Sequence, residues 1–187
     1  MGWIVLIIVI GVVLGIIMIR NKIVRYHNAA IRSWSDVASF ERQKVQILDQ
    51  LEPLVERYSN FERGTLERVT ELRQSILNLQ LDHTDISQLQ HIESLNQELM
   101  KQLNVVIENY PELKADQIYL KMMQEIEAQN ENVGASITIY NRNVELFNSY
   151  IQMFPHHLIN TATVAKKSIR PFRDPVISEN FSYRPNF

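Results

Sequence analysis

Apolar residues are not spread evenly along this chain. They come first as one unbroken block and then as stripes. Trp3 to Ile19 (WIVLIIVIGVVLGIIMI) carries no charge and no polar group beyond the indole N–H of Trp3. Such a run reaches the short end of the length that crosses a bilayer as a helix. From there on, polar residues separate the apolar ones at helical spacing. Tyr119, Met123, Ile126, Asn130, Val133, Ile137, Tyr140, Val144, Phe147, Ile151 and Phe154 step by four and three, the 3.5-residue repeat of helices packed side by side. A second row runs Leu89, Ile92, Asn96, Leu99, Leu103, Val106 and Tyr110, and Pro111 ends it. Each row holds one asparagine: Asn96 and Asn130 either pair across the bundle, where a buried Asn fixes register, or Asn130 faces a partly wet gap. Asp82–Asp85 is the break before the second row, with Asp85 the expected N-cap.

The first third carries two rows in different phase. Val37, Phe40, Lys44, Ile47, Leu51, Leu54, Tyr58 and Phe61 share one, and Leu66, Val69, Leu72, Ile76 and Leu79 the other. Pro53 either starts a new helix, where its missing N–H costs nothing, or sits within a longer one that turns near Asn60–Gly64. Length matching favours a turn at Pro53, with helices over 25–51, 53–80 and 85–110, although the flanking residues lack turn chemistry. The pattern predicts an all-α protein: a transmembrane anchor at 1–20, an antiparallel four-helix bundle over 21–160, and an extended Pro/aromatic tail at 161–187.

Charge refines this picture. The net charge of −2 conceals a segregation. Arg20, Lys22, Arg25 and Arg32 form a basic zone without acids, as do Lys166, Lys167, Arg170 and Arg173. Residues 33–157 hold 19 acids against 10 Lys and Arg. An acidic body argues against nucleic acid as a partner. No basic residue precedes the apolar block and Arg20-Asn21-Lys22 is no cleavage site, which favours an uncleaved anchor over a signal peptide. Lys and Arg are retained on the cytoplasmic side, so the N-terminus is expected outside the cell membrane and the bundle in the cytoplasm. Antiparallel succession returns the fourth helix to the membrane. There Arg20, Lys22, Arg25, Lys166, Lys167, Arg170 and Arg173 are candidate lipid-facing groups. Gly11 and Gly15 form a G-x-x-x-G, a candidate packing face for a membrane homodimer. In the tail, Phe181, Tyr183 and Phe187 alternate as in an extended partner-binding segment, or as rings that dock on their own bundle.

Catalytic chemistry has little support. There are no cysteines. His27, His83, His91, His156 and His157 form neither H-E-x-x-H nor the Glu-x-x-His pairs of bundle di-metal sites. Glu62, Glu67, Glu71, Glu108 and Glu127 read as solvated helix positions. The chain is therefore expected to be a non-enzyme, with no catalytic, metal or cofactor-binding residues and with protein partners that the sequence does not identify.

Several short elements occur in a specific order: Arg25-Tyr26-His27-Asn28, Trp34 with Val37, Leu51-Glu52-Pro53-Leu54-Val55, Tyr110-Pro111-Glu112-Leu113-Lys114-Ala115, Tyr140-Asn141, Val144, Phe147-Asn148 and Phe154-Pro155. In this combination the chain resembles the LemA family of bacterial membrane proteins, from the anchor to about residue 160. His27 interrupts a Tyr-Asn pair of the family, and Glu52 departs from its Leu-Ile-Pro-Asn-Leu-Val element. The resemblance implies a membrane-anchored antiparallel four-helix bundle, with no known catalytic activity, cofactor or substrate. Two functions follow as expectations: a scaffold or adaptor at the membrane, or a lipid- or envelope-stress-sensing module.

Overall fold

A computed structural model describes residues 2–58 and 63–174. Every regular element among them is helical, in the order α1 (Gly2–Tyr58), α2 (Arg63–Leu77), α3 (Ile86–Asn109), α4 (Pro111–Ala115), α5 (Gln117–Gln152) and α6 (His156–Thr163). The protein is all-α, with a long apolar helix at its N-terminus.

The turn expected at Pro53 does not occur. Helix α1 runs through Pro53 to Tyr58, and α2 follows at Arg63. The reason is burial. Leu48, Leu51 and Leu54 occupy one core row, each at most 6% exposed, and that row is kept only if the helix continues. Pro53 itself points to solvent. A proline inside a helix costs about 3 kcal/mol, and burying three leucines at about 1.5–3 kcal/mol each exceeds that. Helix α2 is consequently the short member, starting ten residues after the expected 53–80 helix would begin.

The described residues divide into two compact units, both drawing on α1 and α5. The body unit comprises Trp34–Ile137 with the residues from Phe172 onward. Its core takes Trp34, Val37, Leu48 and Leu51 from α1, and Val69, Leu72 and Ile76 from α2. Helix α3 adds Leu89, Ile92, Leu99, Leu103 and Val106, and α5 adds Tyr119, Ile126 and Val133. The break between α2 and α3 is fixed by donors from α1. The Trp34 indole N–H donates to the Gln80 carbonyl at 2.9 Å, Ser35 Oγ to Leu81 at 2.7 Å, and Arg42 to Leu79 at 2.9 Å. These bonds satisfy carbonyls of the non-helical segment that follows α2. Asp85 caps α3 as expected, accepting from the Gln88 N–H at 2.9 Å. Along α5, Met123 and Ile137 are only partly buried while Met122 and Ser136 are buried. A straight helix drifts from a strict seven-residue repeat, which moves the buried stripe by one position.

The anchor-side unit comprises the residues up to Ser33 with Thr138–Pro171. Ile23, Phe147 and Ile151 form its centre, with Ile19, Tyr26, Tyr150, Val164 and Ile169 packed around them. Phe154, the last position of the α5 row, is 83% exposed. It lies beyond Gln152, where the helix and its periodicity both end. Helix α6 extends past residue 160 to Thr163, and Ala165 at φ 48° takes the left-handed conformation that often follows a helix end. The chain after α6 is non-helical and held by side-chain amides. Asn148 donates to the Ile169 carbonyl at 2.8 Å and accepts from the Ile169 N–H at 2.9 Å. Asn160 does the same for Lys166, at 2.9 and 3.1 Å, and the Tyr140 hydroxyl donates to the Arg170 carbonyl at 2.8 Å.

Candidate functional site

The most unusual chemistry in the body unit is a polar cluster inside an apolar core. Lys44 sits in the apolar row of α1 because its four-carbon stem substitutes for a hydrophobic residue there. Its head needs partners, since an unpaired buried ammonium is costly. Lys44 Nζ lies 2.9 Å from Glu41 Oε2, one helical turn back, and the two side chains are 1% and 0% exposed. The same ammonium donates to Asn130 Oδ1 at 3.1 Å. Asn96 Nδ2 donates to that oxygen at 3.2 Å, so the amides of α3 and α5 pair as their positions in the two rows suggested. One asparagine oxygen thus joins three helices.

A second carboxyl completes the cluster. Glu93 of α3 has its pKa pushed up to about 7. Burial is the largest cause, followed by Lys44, which opposes the rise. The Glu41 charge, a hydrogen bond with Glu41, and Asp174 all reinforce it. The Glu41 carboxylate oxygens are sealed from solvent. The cluster ties three helices together through Asn130. It does not border the hollow of about 300 Å³ nearby, which is lined by Gln43, Gln46, Ile47, Gln50, Glu125, Ala128 and Gln129. Glu41 and Glu93 were not singled out from sequence. A signal existed for Glu41, which lies four residues after Val37 and three before Lys44 on the same helix face.

The residues expected to face lipid mostly belong to the anchor-side unit. Arg20, Lys22 and Arg25 on α1 are exposed, and so are Lys167 and Arg170. Lys22 Nζ stands 5.7 Å from the centre of the Tyr26 ring and 5.2 Å from that of Tyr150. Those rings meet edge to face at 5.1 Å, and Tyr150 stacks on His156 at 4.0 Å. The pKa of His27 is lowered, first by burial and then by the charge of Lys166. The two basic zones therefore come together in one unit, except that Arg173 lies in the body unit, where its carbonyl accepts from Gln90 at 2.7 Å. Next to it Phe172 is buried and belongs to the body unit. Phe181, Tyr183 and Phe187 lie outside the described residues. Gly11 and Gly15 have no atom within 4 Å of an added Cβ, which leaves that helix face open. Among the described residues no cluster of three or more His, Asp or Glu is placed to hold a metal ion.

An all-α chain with an apolar leading helix and a polar knot tying three of its helices defines a class of helical-body proteins. A family model described as the LemA family matches residues 33–172, and the chain belongs to that family. It is similar to Protein LemA of Metamycoplasma hominis, at 31% identity over 136 residues. That alignment covers 72% of this chain and 60% of the relative. The family match begins one residue before Trp34 and ends at Phe172, the span over which the body's helices and tail contact are built.

Proposed function

We propose that this chain is a single-pass membrane protein whose helical body acts as a non-catalytic scaffold on the cytoplasmic face. The observation that carries the reading is the first third of α1. Its most apolar 18-residue window has a mean hydropathy of 3.1 and none of it is buried by the protein. A helix that is apolar all round needs a protein core or lipid to cover it. Arg20, Lys22 and Arg25 at its C-terminal end favour the cytoplasmic side for everything after it. The test is extraction of native membranes. The full chain should resist alkaline carbonate and yield to detergent, and protease added outside intact cells should leave the body uncut. Release by carbonate, or digestion of the body from outside, would reject the anchor or the orientation respectively.

A second reading is supported by the convergence of the two basic zones: the anchor-side unit reads anionic headgroups. Each Lys or Arg near an anionic surface adds about 1 kcal/mol. In nanodiscs of phosphatidylglycerol, amides of residues 164–171 should exchange more slowly than in phosphatidylcholine. Charge reversal at Lys166, Lys167 and Arg170 should abolish the difference. Equal exchange in both lipids would reject lipid reading and leave the scaffold role standing.

A further inference from the structure

The corner between α5 and α6 has a composition that the body does not explain. Met153 is 53% exposed, Phe154 83% and Leu158 56%, three large apolar side chains within six residues. Its height along α1 follows from ring contacts in the anchor-side unit. His27 meets Phe147 with centroids 5.3 Å apart, Tyr26 meets Tyr150 at 5.1 Å, and Ile23 packs with Phe147 and Ile151. Residue numbers fall on α1 as they rise on α5, so the two segments are antiparallel with fixed register. Carrying that register to Gln152 places the end of α5 level with residues 22–24, and the Met153–Phe154 corner leaves the helix from there towards Arg20. Arg20 is the first charged residue after the apolar block. A phenyl ring reaches about 6 Å from its Cα, or about four residues along a helix that rises 1.5 Å per residue. The ring of Phe154 is therefore within reach of the boundary at which α1 turns from apolar to basic.

We infer that the Met153–Phe154 corner, with Leu158, inserts into the lipid bilayer as a second attachment point beside the membrane helix. This rests on the reading of residues 3–19 as a membrane span. Lipid is the occupant that this corner's neighbours fit. In this arrangement acyl chains around Ile16 and Ile17 would lie next to it, and the exposed Arg20 and Lys22 would supply positive charge for headgroups above it. Apolar side chains below a basic rim are the arrangement by which helical segments lie in the interfacial plane of a membrane. Two attachment points fix the unit's rotation about the span, which a single helix leaves free.

The chain has no cysteine, so single nitroxide labels can be placed without background. Full-length protein carrying Phe154→Cys, Leu158→Cys, Ile139→Cys or Ile10→Cys would be reconstituted into vesicles of phosphatidylcholine and phosphatidylglycerol. Relaxation by lipid-soluble oxygen and by an aqueous nickel complex is then read for each. Ile139 is 56% exposed on α5, about 20 Å before the helix ends at Gln152 at 1.5 Å per residue, and serves as the water-facing control. The expected result is an oxygen-to-nickel ratio several-fold higher at 154 and 158 than at 139, approaching that at 10. A ratio at 154 equal to that at 139, with residue 10 in lipid, overturns the corner's insertion and leaves the span intact. Labels at 154 and 158 shielded from both reagents would point to a second protein copy and also overturn it. A water-like residue 10 would overturn the span and the insertion together.

Discussion

Replacing Lys44 with methionine is expected to destabilise the body by about 3–5 kcal/mol, the cost of removing one partner from a buried ion pair. Methionine fills most of the space of the lysine stem, so packing changes little. What is lost is the ammonium 2.9 Å from Glu41 and its bond to Asn130. The Glu41 carboxylate then stays in a site with 0% exposure and no cation beside it. Asn130 Oδ1 retains only its bond from Asn96. Urea unfolding of the full chain in detergent, followed by helical circular dichroism, measures the effect. The double variant Glu41→Gln/Lys44→Met removes both charges and should recover most of the loss. The coupling between the two sites then exceeds 2 kcal/mol, well above the few tenths expected of independent positions. A loss below 1 kcal/mol in Lys44→Met would mean that water reaches Glu41 and that the cluster contributes little to the core.

That cluster also marks how far the sequence could be read. The apolar rows are local signals, and they located α3, α5 and the leading helix because periodicity survives any tertiary arrangement. Asn96 and Asn130 stood out as polar residues in apolar rows, which made their pairing one of two open readings, and the structure pairs them. Lys44 stood in such a row too. Glu41 lies on the same face of α1 and could have been read there, whereas Glu93 falls outside the rows and is covered only once three helices close around it. Pro53 misled for a similar reason. Backbone chemistry favours a break there, and only the burial of Leu51 and Leu54 on either side overrides it. Phe154 continued the row by number after the helix had ended. The backbone of Ile169 and Arg170 is held by the side chains of Asn148 and Tyr140. No residue spacing encodes such contacts.

The second large effect is a dependence of stability on pH that passes through Glu93. In the folded chain its carboxyl keeps its proton up to about pH 7, whereas an exposed glutamate releases it near 4.5. Between those values the folded state binds more protons than the unfolded state. Stability therefore falls as pH rises through that window, is fully present below it and levels off above it. A shift of this size corresponds to about 3 kcal/mol at 1.36 kcal/mol per pKa unit. The groups facing Glu93 set the sign. Glu41 on α1 and Asp174 after α6 disfavour its charge, and Lys44 opposes them less strongly than burial acts. Glu93→Gln keeps a donor for Glu41 but has no proton to lose. The variant should match the parent near pH 4.5 and become progressively more stable than it up to pH 8. His27, whose pKa is lowered, contributes a slope of the opposite sign near 6.5. It does so equally in both proteins, so the difference between parent and variant isolates Glu93. Unfolding midpoints in urea at a series of pH values provide the measurement. Parallel profiles for the two proteins would show that Glu93 titrates as a solvated carboxylate. Divergence above pH 5 would identify a protonated Glu93 beside Glu41 as part of the core at the acid end of the physiological range.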